Sequence, residues 1–143
     1  MHWVFNAATH WINRWVTSGE APPIAPRLEA TSAPGISPVV FAVDSHGIVL
    51  GGIRTPYVDV PIARLTGVGS GPAPGAPPQS QFCGSFGVTV PFTDEELAAL
   101  YPSHGSYLNS FEIASEAAVE SGFLVEEDGA KLIRAAALSD IGR

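Results

Sequence analysis

Residues 3–17 carry apolar side chains at Trp3, Val4, Phe5, Ala7, Ala8, Trp11, Ile12, Trp15 and Val16. The polar ones fall at Asn6, Thr9, His10, Asn13, Arg14 and Thr17, spaced 3, 1, 3, 1 and 3. That spacing is helical, and it predicts an amphipathic helix over 3–17 whose apolar face exceeds half the circumference. Such a face requires something large to lie against, and three of its residues are tryptophans. Gly19 is the expected left-handed C-terminal cap, and Pro22, Pro23 and Pro26 hold the next segment extended.

From Pro38 the pattern changes to β-branched runs. Val39–Val43 predicts a strand, Asp44-Ser45-His46-Gly47 a tight turn, and Ile48-Val49-Leu50 the returning arm of a hairpin. Gly51-Gly52 breaks the ladder. Tyr57–Val60, held between Pro56 and Pro61, reads as a short edge strand or an extended loop. Residues 67–80 (GVGSGPAPGAPPQS) read as a mobile loop or linker, without an obvious independent core on either side.

The last third is helical. Thr93-Asp94-Glu95-Glu96 is a capping box, and Pro102 stops the helix it opens. A second helix is expected from about Ser103 to Ser121, with Tyr107, Phe111, Ala114 and Ala118 inward and Gly122 at its end. A third is expected from about Glu127 to Leu138, with Leu132, Ile133, Ala136 and Ala137 inward. The expected class is α+β: one amphipathic helix, a short hairpin with edge strands, and three C-terminal helices in a loop-rich single domain or domain fragment, residues 1–143.

Charge narrows the partners. All seven excess negative charges lie beyond residue 93, and one Lys with six scattered Arg argues against a binder of nucleic acid. The acidic surplus fits a solvated helical surface better than a docking face. No apolar stretch reaches 18 residues and no signal-peptide pattern is visible, so no membrane partner is expected and the cytoplasm is the default.

Candidate chemistry is sparse. No serine satisfies Gly-x-Ser-x-Gly, and Ser85, between Cys83 and Gly87, is a half match. Cys83, the single cysteine, reads as a structural thiol. His2, His10, His46 and His104 have no metal-ligand spacing, and no metal or cofactor is expected. Glu126-Glu127-Asp128 suits the positive end of a helix dipole without calcium. Two polar knots remain. Arg54 and Asp59, in GGIRTPYVDVP, either pair to fix the loop or line a pocket. In YPSHG, Ser103 is the expected N-cap and His104 the first helical residue, so the two do not form a dyad.

Five stretches resemble the C-terminal part of the α/β-hydrolase-domain proteins: HWVFNAATHWINRWVTSGEAPP, GGIRTPYVDVPIARLTG, CGSFGVTVPF, LYPSHGSYLNSF and ASEAAVESGFLVEEDGAKLI. They span most of residues 2–138 outside the Gly/Pro loop, and GGIRTPYVDVP and YPSHGSY are the most specific. The resemblance implies hydrolysis of an ester or related acyl bond by Ser, an acid and His, in that chain order. It also matches the helix at 3–17 to the final core helix of that fold. The nucleophile, acid and catalytic His would then lie upstream of Met1, and no catalytic residue is carried over; His2 matches a helix-start position. The resemblance thus implies the C-terminal portion of an α/β-hydrolase-like fold, inactive alone because it lacks nucleophile, base and oxyanion hole. Its pocket-lining residues would be Arg54, Tyr57, Asp59 and His104. Its partner, an upstream hydrolase core or another protein, would cover Trp3, Trp11 and Trp15. The alternative is a self-standing binding or assembly module that docks through the apolar face of helix 3–17.

Overall fold

The computed structural model describes residues 2–31, 40–67 and 87–143. Val39, Ser70, the loop positions 68–80, Cys83 and Ser85 lie outside the described residues. Among the described residues seven elements follow one another: α1 (His2–Ser18), α2 (Pro56–Asp59), β1 (Ala63–Thr66), β2 (Val88–Pro91), α3 (Asp94–Leu100), α4 (His104–Glu120) and α5 (Glu126–Ala137). Helices and a small antiparallel sheet make the class α+β. The chain divides into two compact units: one holds 1–27, 52–61 and 93–143, the other 28–51 and 62–92.

The helical unit is built on α4 and α5. Ser103 caps α4 as expected: its hydroxyl accepts from the Ser106 amide and the Ser106 hydroxyl lies against the Ser103 amide. Tyr107, Phe111, Ala114 and Ala118 are all buried on one stripe. Ser115 is fully buried too, and its hydroxyl donates to the Phe111 carbonyl at 2.7 Å, so no polar atom is stranded. Gly122 takes φ +76°, and the amides of Phe123 and Leu124 reach back to the Ala118 carbonyl, closing α4. A Cβ on Gly129 would meet Val119 Cγ2 at 2.8 Å, so the missing side chain lets α5 approach α4. α5 starts one residue earlier than expected, and its first turn holds Glu126, Glu127 and Asp128 against the positive end of the dipole. The Thr93–Glu96 capping box of α3 is present in full.

Two buried tyrosines join the α3–α4 connection to this core. The Tyr101 hydroxyl donates to the Pro61 carbonyl at 2.9 Å, and its ring meets Tyr107 edge-on at 5.1 Å. Burial, then the neighbouring Tyr107, pushes the Tyr101 phenol up to about 12. Burial also raises Tyr107, with Tyr57 adding to the rise and a bond to Ser139 opposing it.

The second unit is irregular. The Asp44 carboxylate accepts from the amides of His46 and Ile48, Gly47 takes φ +77°, and the chain turns back as predicted. The arms of this hairpin are joined by a single bridge, Val43 to Val49, rather than a continuous ladder. Each arm is only a few residues long, and Gly51-Gly52 ends the second. A third segment pairs alongside through Ala30 and Phe41. β1 and β2 form the one two-stranded sheet among the described residues, antiparallel, with Ala63 opposite Pro91 and Thr66 opposite Val88.

Candidate functional site

The expectation of an extended 57–60 is corrected by the structure. Thr55 is extended and Pro56 stands at the first helical position, where its ring pre-sets φ and its absent N–H is no loss. The Thr55 carbonyl then accepts from the amides of Val58 and Asp59, and that of Pro56 from Val60, so the segment closes one helical turn, α2. The turn brings Asp59 back over Arg54, whose Nε donates to Asp59 Oδ1 at 2.6 Å. Both side chains are partly exposed.

This ion pair borders a cleft of about 180 Å³. Ala114, Ala117 and Ala118 of α4 and the ring of Phe123 form its apolar walls. The alanines recur at spacings of three and one along α4, so they share a face, and their small side chains leave the volume open. Tyr57 lies on the same turn as Asp59, but its ring packs edge-on against Phe111 at 5.7 Å.

His104 stands at the far end of α4, ten residues from Ala114 and so about 15 Å along the axis. Its ring nitrogens face two carbonyls, Nδ1 to Ile141 at 2.9 Å and Nε2 to Ala137 at 3.2 Å. It fastens the chain after α5 to the start of α4. Of the four residues expected to line a pocket, Arg54 and Asp59 are brought together, Tyr57 is adjacent to them, and His104 is distant. Among the described residues no serine hydroxyl hydrogen-bonds an imidazole, and no cluster of His, Cys, Asp or Glu is placed to hold a metal.

α1 has two unlike sides. On one, the Trp11 indole donates to the Gly122 carbonyl at 2.7 Å and Asn6 Nδ2 donates to Asp128 Oδ2 at 2.7 Å. Asp128 is buried and also faces Lys131 at 3.5 Å. Ala7 is buried between these anchors, and a Cβ on Gly122 would lie 3.0 Å from the Trp11 ring. On the other side Phe5 is 74% exposed, Ile12 59%, Trp15 57% and Val16 80%. The expected grouping of Trp3, Trp11 and Trp15 on one uncovered face is thereby corrected. Trp3 and Trp11 are half-buried, Trp15 is exposed, and the open stripe runs Phe5, Ala8, Ile12, Trp15, Val16. Asn6, which the periodicity counts with the solvated stripe, is exposed as expected, but its bond to Asp128 carries no signal in the spacing.

A family described as alpha/beta hydrolase domain matches residues 1–134. The chain belongs to that family, which suggests a hydrolase-type function. No curated protein and no solved structure matches the chain. No helix among the described residues is long and apolar enough to cross a membrane.

Proposed function

We propose that residues 1–143 act as the C-terminal, non-catalytic portion of an α/β-hydrolase that cleaves an ester or related acyl bond. In this reading the nucleophile and its imidazole come from an upstream hydrolase core. The observation that carries it is the open stripe of α1. Four large apolar residues there face solvent on a helix whose other side is anchored by Trp11 and Asn6. Exposed apolar surface of this extent ordinarily marks a contact site, and a sheet of the hydrolase core is the occupant that the family membership favours. Two further observations support the reading: the sequence has no Gly-x-Ser-x-Gly elbow, and His104 is engaged by backbone carbonyls rather than by a nucleophile. Arg54 and Asp59, with Tyr57 beside them, then contribute a pocket wall, and His104 positions the chain after α5.

The test is p-nitrophenyl acetate turnover. The purified chain is expected to give no turnover above buffer, and co-expression with a family core segment carrying the nucleophile strand–turn–helix is expected to restore it. Turnover by the chain alone, abolished by Ser85→Ala or Cys83→Ala, overturns the reading. The alternative module reading keeps the same stripe but predicts a stable complex with a partner other than a hydrolase core, and no restored turnover.

A further inference from the structure

We infer that the cleft between the Arg54–Asp59 pair and the alanine face of α4 binds an uncharged carboxamide carried on an apolar body of about ring size. The inference rests on reading Arg54 and Asp59 as pocket-lining residues. It does not depend on what covers α1.

Three features lead to this ligand class. The first is size. The cleft holds about 180 Å³, and an apolar protein cavity of about 150 Å³ accommodates benzene. The second is the lining. Ala114, Ala117, Ala118 and Phe123 offer apolar walls, and small-molecule sites are typically apolar surfaces with a few fixed polar groups. The third is the rim. The guanidinium and carboxylate are already joined at 2.6 Å, so the rim is a strong local dipole with no net charge. A carboxylate ligand would be attracted by Arg54 and repelled by Asp59, and an ammonium ligand the reverse, so the joined pair offers neither a net attraction of charge. A neutral group with a donor at one end and a carbonyl at the other fits both poles. Its N–H₂ donates to the Asp59 carboxylate, and its C=O dipole points toward the guanidinium. An ester of the same shape lacks the donor and makes no bond to the carboxylate. The pair is held by a closed turn behind Pro56, so the rim is set before a ligand arrives.

The experiment is an amide-resolved NMR titration of the full 143-residue chain with benzamide, benzoate, benzylammonium and methyl benzoate. Benzamide is expected to saturate in the millimolar range usual for so small a ligand, shifting the amides of Asp59, Ala117 and Ala118. The other three are expected to bind at least tenfold more weakly. Ala117→Phe fills the cleft from an exposed position and is expected to abolish benzamide binding with an unchanged thermal midpoint. Asp59→Asn, which leaves Arg54 without this counter-charge, is expected to reverse the order so that benzoate binds best. The inference is overturned by equal binding of benzoate or benzylammonium to the native chain, by shifts that map elsewhere, by no binding, or by benzamide binding that survives Ala117→Phe. Esterase restoration plays no part in this test, so its failure and a failure here are told apart.

Discussion

Helices α1 and α4 are each seventeen residues long. α1 carries three tryptophans and a phenylalanine, whereas ten of the seventeen residues of α4 are alanine, serine, glycine or glutamate. Yet α4 buries five residues and α1 only Ala7. Apolar content does not decide burial: a helix is covered only where the chain supplies a surface of matching relief. α4 has α5 approaching at Gly129, α2 across Tyr57 and Phe111, and a capping network at its start. α1 is held along one side by two side-chain bonds, and its bulkiest outward residues stay more than half exposed.

The largest effect that tests this contrast lies in α4. Phe111 is 1% exposed and in ring contact with both Tyr57 and Tyr107. Phe111→Ala is expected to cost about 3–5 kcal/mol, the usual loss when a buried aromatic leaves a cavity. Chemical denaturation measures it, and a loss under 1 kcal/mol would show that α4 is not the centre of the core.

How far the sequence reveals the molecule follows the same division. α4 was legible almost residue by residue, because Tyr107, Phe111, Ala114 and Ala118 keep helical spacing and Ser103 and Gly122 mark its ends. The capping box of α3 and the Asp44–Gly47 turn were legible for the same reason: local bonds define them. β1 and β2 were not, because pairing Ala63–Thr66 with Val88–Pro91 is long-range and neither four-residue run stands out. The helical turn at 56–59 was hidden by its prolines. They suit an extended segment and a first helical position equally well, and only the Thr55 carbonyl's partners distinguish the two. The Arg54–Asp59 pairing was legible as one of two alternatives, whereas its alanine wall was not, since small residues in a helix carry no signal of what they face. His104 was legible as the start of α4, but its two carbonyl partners lie more than thirty residues away.

The next test concerns the anchored side of α1. Asn6 donates to the buried Asp128, and hydrogen bonds to a charged partner contribute about 1.5–3 kcal/mol. In a double-mutant cycle of Asn6→Ala with Asp128→Ala, a coupling of about 1.5 kcal/mol or more is expected. Coupling near zero would mean that the helix rests there without being fixed.

A smaller effect has a distinctive pH signature. The Tyr101 phenol is raised to about 12 from its ordinary value of 10.0. The folded state therefore holds this proton more tightly than the unfolded state does. The stabilisation is complete below pH 10 and is lost as pH climbs from 10 to about 12. Tyr101→Phe is expected to cost about 1 kcal/mol at neutral pH, through the lost bond to the Pro61 carbonyl. It should also remove part of the alkaline fall in stability. Tyrosinate absorbance at high pH, followed beside unfolding, checks both.

The smallest expected change is the one that bears most on function. Ile12 and Trp15 lie on the open stripe of α1. Replacing both by serine removes little that is packed in this chain, and substitutions at such surface positions usually stay within about 0.5 kcal/mol. The thermal midpoint should barely move, while turnover restored by a hydrolase core should fall sharply, because the same two side chains would then be missing from the buried contact. Equal loss of stability and of restoration would mean that the stripe is packed in the isolated chain. The contrast between α1 and α4 would then fail. A drop in restoration with stability intact would instead place the stripe at the junction with the hydrolase core.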